Sequence, residues 1–128
     1  MTLRLLSADP STVVLDAIQT AMGDVPAGYD MPPGGRKLFL TLSAGAQPTA
    51  ATQRWTLTIS AYSHTESGIM AHADAQALWR KAVLAVIEHR YDEPLCDAAI
   101  QSGPMENHDA KLGVDYVYGA LMLTIACA

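Results

Sequence analysis

Basic charge is scarce in this chain. Its 128 residues carry 8 Lys and Arg against 13 Asp and Glu, a net charge of -5. No basic stripe is available to neutralise nucleic-acid phosphates, so a role in gripping DNA or RNA is excluded on charge. Charge of either sign is low, at 16% of residues, where a typical domain carries about 25%. That shortfall points to surface covered by other protein, or else to an alanine-rich sequence bias. Cysteine is limited to Cys96 and Cys127. Two cysteines make no disulfide framework, although both flank the last strand pair and have the chance to face each other. The expectation is two buried free thiols. Long apolar runs are lacking too. The final one, 117–128, is far shorter than the roughly 20 residues that span a bilayer. Asp9-Pro10 cuts off the Leu-rich start before a leader core forms. The expected compartment is therefore the cytoplasm of the cell that makes the protein.

What is present is a globular composition. Half the residues are hydrophobic, and 128 residues suit one domain with one core. Asp9-Pro10 reads as a helix start. Val13, Val14, Ala17, Ile18, Ala21 and Met22 then recur at helical spacing, and Gly23 is a stop. This predicts a first helix over 10–22. Residues 24–36 hold Pro26, Gly28, Pro32, Pro33, Gly34 and Gly35 and read as a loop. A short apolar strand is expected over 37–43, then a small-residue connection over 44–53. Residues 54–62 alternate: Trp55, Leu57, Ile59 and Ala61 on one face, Thr56, Thr58, Ser60 and Tyr62 on the other. A polar loop follows over 63–73. Asp74 is the expected cap of a second helix running to about residue 91, with Leu78, Trp79, Ala82, Val83, Val86 and Ile87 as its apolar face. Pro94 stops it. Strands over 95–102 and 114–127 complete the order α-β-β-α-β-β. The expected fold is one α+β domain over 1–128: a four-stranded, mainly antiparallel sheet with two helices packed on one face.

Catalytic patterns fail on context. His64, His72, His89 and His108 lack the close spacing of a metal site. Pro33-Gly34-Gly35-Arg36-Lys37 leads into a strand, whereas a phosphate cradle needs a helix N-terminus. Ser63, His64 and Glu66, or Ser102, His108 and Asp109, hold triad-type residues on polar loops with no nucleophile elbow. The expectation is no enzyme, no metal and no cofactor. Trp55 and Trp79 are assigned to the core. Tyr116, Tyr118 and Met122 share one face of the last strand. If the helices cover the other face, these three lie where a partner subunit buries them. Tyr29 and Met31 are apolar residues in the first loop and join them as candidate contacts.

Four features together resemble the tail terminators of tailed bacteriophages, also called tail completion or minor tail proteins. They are the length, the α-β-β-α-β-β order, the helix over 75–90 followed by a strand and Ser102-Gly103-Pro104-Met105-Glu106-Asn107-His108-Asp109, and the last strand over 114–125. The resemblance implies a homo-hexameric ring on the head-proximal end of the tail tube. Such a ring ends tube growth and presents a joining surface to the head. The implied partners are further copies of the chain, the tail tube protein and the head–tail connector protein, and the implied place is the virion. DNA would pass through the ring without specific binding, past an acidic wall, and no membrane is involved. The loops 26–36, 44–53, 63–73 and 103–113 would make the contacts, with Tyr29, Met31, Arg36, Met105, Asp109, Tyr116, Tyr118 and Met122 as interface candidates. Two other readings stay open. One is another head–tail connector component; the other is a small α+β module that binds a ligand or peptide.

Overall fold

The computed structural model describes residues 7–46, 49 and 51–127. Its elements are α1 (Ser11–Met22), β1 (Ala27–Gly28), β2 (Arg36–Ala44), β3 (Thr52–Ser63), α2 (His72–Glu88), β4 (Leu95–Asp109) and β5 (Val114–Ala126). The class is α+β, as expected. The sheet differs from the expected one: among the described residues it has five strands, in the order β1-β2-β3-β5-β4, and it is mixed.

The fifth strand comes from the loop expected over 24–36. Ala27 and Gly28 pair in parallel with Leu38 and Phe39. Two residues among prolines and glycines carry no period, so only tertiary pairing defines them. The Gln19 side chain of α1 holds the segment in place: its amide donates to the Val25 carbonyl at 3.0 Å and accepts from the Ala27 N–H at 3.0 Å.

The second correction concerns β4. It runs through Ser102-Gly103-Pro104 to Asp109, so the loop expected over 103–113 shrinks to the turn between Asp109 and Val114. Glycine and proline usually punctuate a strand. Here β4 is the edge strand, where a proline without an N–H loses no ladder bond if it points outward. Gly103 adopts φ +93°, and register shifts between Ile100, Ser102 and Met105 absorb the irregularity as bulges.

Helix ends shift by a few residues. Asp9 does accept the Ser11 N–H, at 2.9 Å, but Pro10 stands just before the helix rather than in it. Gly23, at φ 64°, ends α1 as expected. Helix α2 starts at His72 and ends at Glu88, three residues short of the expected end. Asp74 sits in its first turn and caps nothing; its carboxylate is taken by Arg36 and Ser63. Cys96 is exposed and Cys127 half-buried, so neither is the buried thiol expected.

Strand alternation sorts the side chains onto two faces. Leu38 and Leu40 of β2, Leu57, Ile59 and Ala61 of β3, and Val117, Leu121, Leu123 and Ile125 of β5 join one core. Val14 and Ile18 of α1 and Leu78, Trp79, Ala82, Val83 and Val86 of α2 belong to the same cluster. Trp79 is its anchor: it is 2% exposed, and its indole N–H donates to the Ile59 carbonyl at 3.1 Å. The indole lies against Gly119 of β5. Trp55 is half-buried at the margin of the core, with its N–H on Ser7 Oγ at 2.7 Å.

Candidate functional site

Among the described residues no helix lies over the opposite face of the sheet, since α1 and α2 both pack into the core on the first face. Across β2, β3, β5 and β4 its side chains meet in register. Lys37 pairs with Tyr62, Phe39 with Ser60, Ser60 with Tyr118, and Tyr118 with Met105. Asn107 pairs with Tyr116, and Met122 lies farther along β5 beside Thr56.

Three tyrosines form a row. Tyr62 and Tyr116 stack at 4.9 Å with planes 15° apart, and Tyr118 follows at 5.8 Å, tilted by 46°. Offset stacking of this kind adds about 0.5–1.5 kcal/mol beyond area burial. On the other side of Tyr62 lies the Lys37 ammonium, 5.5 Å from the ring centroid. Lys37 is 5% exposed and Tyr62 only 2%, so the row packs firmly although it lies outside the main core.

A hydrogen-bonded end fixes the row. The Tyr62 hydroxyl donates to Asp109 Oδ2 at 2.9 Å. Asp109 Oδ1 accepts the N–H groups of Lys111 and Leu112, each at 3.0 Å. The Leu112 N–H is the main cause that holds the Asp109 carboxyl below its usual range, with the Tyr62 phenol and Lys111 adding to it. Burial first, then Asp109, pushes the Tyr62 phenol well above its usual value. At neutral pH the pair is a neutral donor and an ionised acceptor, the arrangement that strengthens such a bond.

Between this row and two flanking loops lies an open groove of about 680 Å³. Its walls are Tyr29, Met31, Phe39, Leu112 and Tyr116, and Asp30, Asp109 and Lys111 stand on it as charges. Tyr29 is held by its hydroxyl, which donates to the Ser11 carbonyl at 2.7 Å; burial pushes this phenol up as well.

Of the residues singled out from the sequence, Tyr29, Met31, Asp109 and Tyr116 line the groove. Tyr118 and Met105 adjoin it through the ladder, and Met122 shares the face at a distance. Arg36 stands apart. It makes a two-point ion pair with Asp74, Nε to Oδ2 at 2.8 Å and Nη2 to Oδ1 at 2.9 Å, and this ties β2 to the first turn of α2. Tyr62, Lys37 and Phe39 were missed. The alternation of 54–62 already put Tyr62 on the outward face; what it lacked was a sign of the partners that bury it.

The two triad-type sets are not brought together. Ser63 Oγ donates to Asp74 at 2.6 Å, and His64 Nδ1 lies on the Thr65 carbonyl. His108 Nδ1 contacts Asp115 at 2.8 Å rather than Asp109. Two further histidines meet carboxylates, His72 with Glu106 and His89 with Asp92, each at 2.6 Å. Among the described residues no group of three or more His, Cys, Asp or Glu side chains is placed to hold a metal. No helix among them is long and apolar enough to cross a membrane.

No protein-family model matches the chain, and no curated protein matches it in sequence.

Proposed function

We propose that this protein is a structural subunit of a tailed-bacteriophage particle, a tail terminator that caps the head-proximal end of the tail tube as a ring of six copies. The ring stops tube growth and offers the surface on which the head joins. The observation that carries the reading is the sheet face that no described helix covers, where Tyr116 and Tyr118 stand half-buried beside the buried Tyr62 and an open apolar groove. A lone domain has little reason to build a rigid aromatic surface there, whereas an assembly buries such a surface between subunits. The net charge of -5 suits a lumen through which DNA slides without sticking. Tube protein and connector protein are the further partners, and the virion is the place.

Electron microscopy of particles assembled without this chain tests the reading. Overlong tails without heads are expected, next to full unattached heads. Tails of normal length on heads would remove it. Twelve copies per particle rather than six would move the chain to a connector ring. One observation favours a different class: the groove of about 680 Å³ also has the size of a ligand site, with Ser60, Asp109 and Lys111 as convergent polar groups. A stable monomer that binds a small molecule or peptide tightly would put that reading first.

A further inference from the structure

The groove is acidic and apolar, and the far side of the domain carries a surface of the matching kind. Helix α2 buries one stripe against the sheet. Its solvent side shows Arg80, Lys81, Leu84 and Glu88, and Tyr91 follows just past its end. Leu84 is 57% exposed and Tyr91 70%, large apolar values for a free surface. The Arg90 guanidinium lies 4.7 Å over the Tyr91 ring and is braced by a bond from Nη1 to the Ile87 carbonyl at 2.8 Å. Arg80, Lys81 and Arg90 enter no ion pair among the described residues. The ridge thus offers two apolar knobs, three cations and the Glu88 carboxylate, while the neighbouring Asp92 and Glu93 line the cleft beside α1, Asp92 paired with His89. The groove offers apolar walls, the carboxylates of Asp30 and Asp109, and the ammonium of Lys111.

We infer that the groove is filled by a second copy of this chain, which inserts Leu84 and Tyr91 of its α2 ridge between Met31 and Leu112. Arg80, Lys81 and Arg90 then face Asp30 and Asp109, and Glu88 faces Lys111. The two surfaces lie on opposite sides of one domain, one on the sheet face turned away from the helices and one on the outer side of the helix layer. A contact between them is head-to-tail, and repetition closes a ring when the rotation allows it. Charge of opposite sign sets the register and excludes groove-to-groove pairing, where Asp30 would meet Asp30. The inference rests on the ring reading above and adds the two patches from which the ring is built.

Complementation in solution tests it. Leu112→Asp spoils the groove and leaves the ridge; Leu84→Asp spoils the ridge and leaves the groove. Both residues are exposed, so both variants should fold, as circular dichroism would check. Met31→Asp and Tyr91→Asp are the second pair should either fail. Native mass spectrometry is expected to give the closed ring for the parent and monomers for each variant alone, with dissociation constants raised about tenfold or more. An equimolar mixture is expected to give dimers with one copy of each variant, because a single intact contact remains and cannot propagate. A parent ring with variants that still assemble, or with a mixture that stays monomeric, overturns the two patches and leaves the ring reading standing. A parent that stays monomeric at every concentration overturns both.

Discussion

Replacing Gly119 by alanine should be among the costliest single-methyl additions in this protein. Gly119 lies on the inward face of β5, opposite Ile59. A Cβ there would fall within the Trp79 ring edge, 2.9 Å from Cε2, and 2.6 Å from the Ser102 carbonyl oxygen. Both neighbours are constrained. Trp79 is 2% exposed with its N–H on Ile59, and Ser102 belongs to the bulged backbone of β4. Overpacking a core by one methyl costs about 1–3 kcal/mol. Pushing the indole off Ile59 adds about 1 kcal/mol for the buried hydrogen bond. The sum, about 2–4 kcal/mol, is a large part of the 5–15 kcal/mol that holds a domain together. At about 4 °C per kcal/mol for a chain of this size, Tm should fall by about 8–16 °C. Urea unfolding followed by tryptophan fluorescence measures the free-energy loss, and a thermal melt the shift in Tm. The same substitution in a Trp79→Phe background should cost about 1–2 kcal/mol less, because the smaller ring vacates the contested space. A Gly119→Ala protein within about 0.5 kcal/mol of the parent at unchanged m-value would refute the close seating of Trp79 on β5.

Tyr62→Phe removes the donor to the ionised Asp109 and keeps the stacked ring; a loss of about 1.5–3 kcal/mol is expected in the same unfolding assay. Stability should also depend on acid. Arg36, with Ser63, holds the folded Asp74 carboxyl below the ordinary 3.8, and the Leu112 N–H does the same for Asp109. Groups with depressed folded values stabilise fully above their unfolded value and lose that stabilisation as pH falls through the folded one. The urea midpoint should therefore drop below about pH 4, and Asp74→Asn, measured across the same range, should flatten part of that drop. Tyr118→Asp should leave the monomer folded and stop assembly, as native mass spectrometry would show; a variant that assembles like the parent counts against the sheet face as an interface.

Much of the fold was legible because its strongest signals are periodic. The alternation of 54–62 put Leu57 and Ile59 on one face and Tyr62 on the other, and Tyr116, Tyr118 and Met122 read as sharing one face of the last strand. The 3.6-residue spacing found both helices. What failed was non-periodic. β1 exists only because Pro26 and Ala27 lie where Leu38 and Gln19 can bond them. From sequence β4 reads as ending at Ser102, because Gly103 and Pro104 look like a break and nothing local says that an edge strand tolerates them. Asp74 read as a cap because its position suits one; the Arg36 that claims it lies 38 residues away in sequence. The row on the sheet face was half visible for the same reason: each strand reported its own outward residues, and the pairing that stacks Tyr62 on Tyr116 belongs to the fold alone.

The irregular course of β4 also limits how this protein can fail. A straight edge strand of fifteen residues offers its free N–H and C=O groups to any passing extended chain, which is how fibres begin. In β4 the register slips between Leu95 and Asp97 and twice more between Ile100 and Met105. A stranger strand laid alongside would lose step within a few residues. Pro104 withholds a donor, and Gly103 turns the chain where a flat template would have to continue. Copies of this chain can therefore be made in quantity without zipping together along β4.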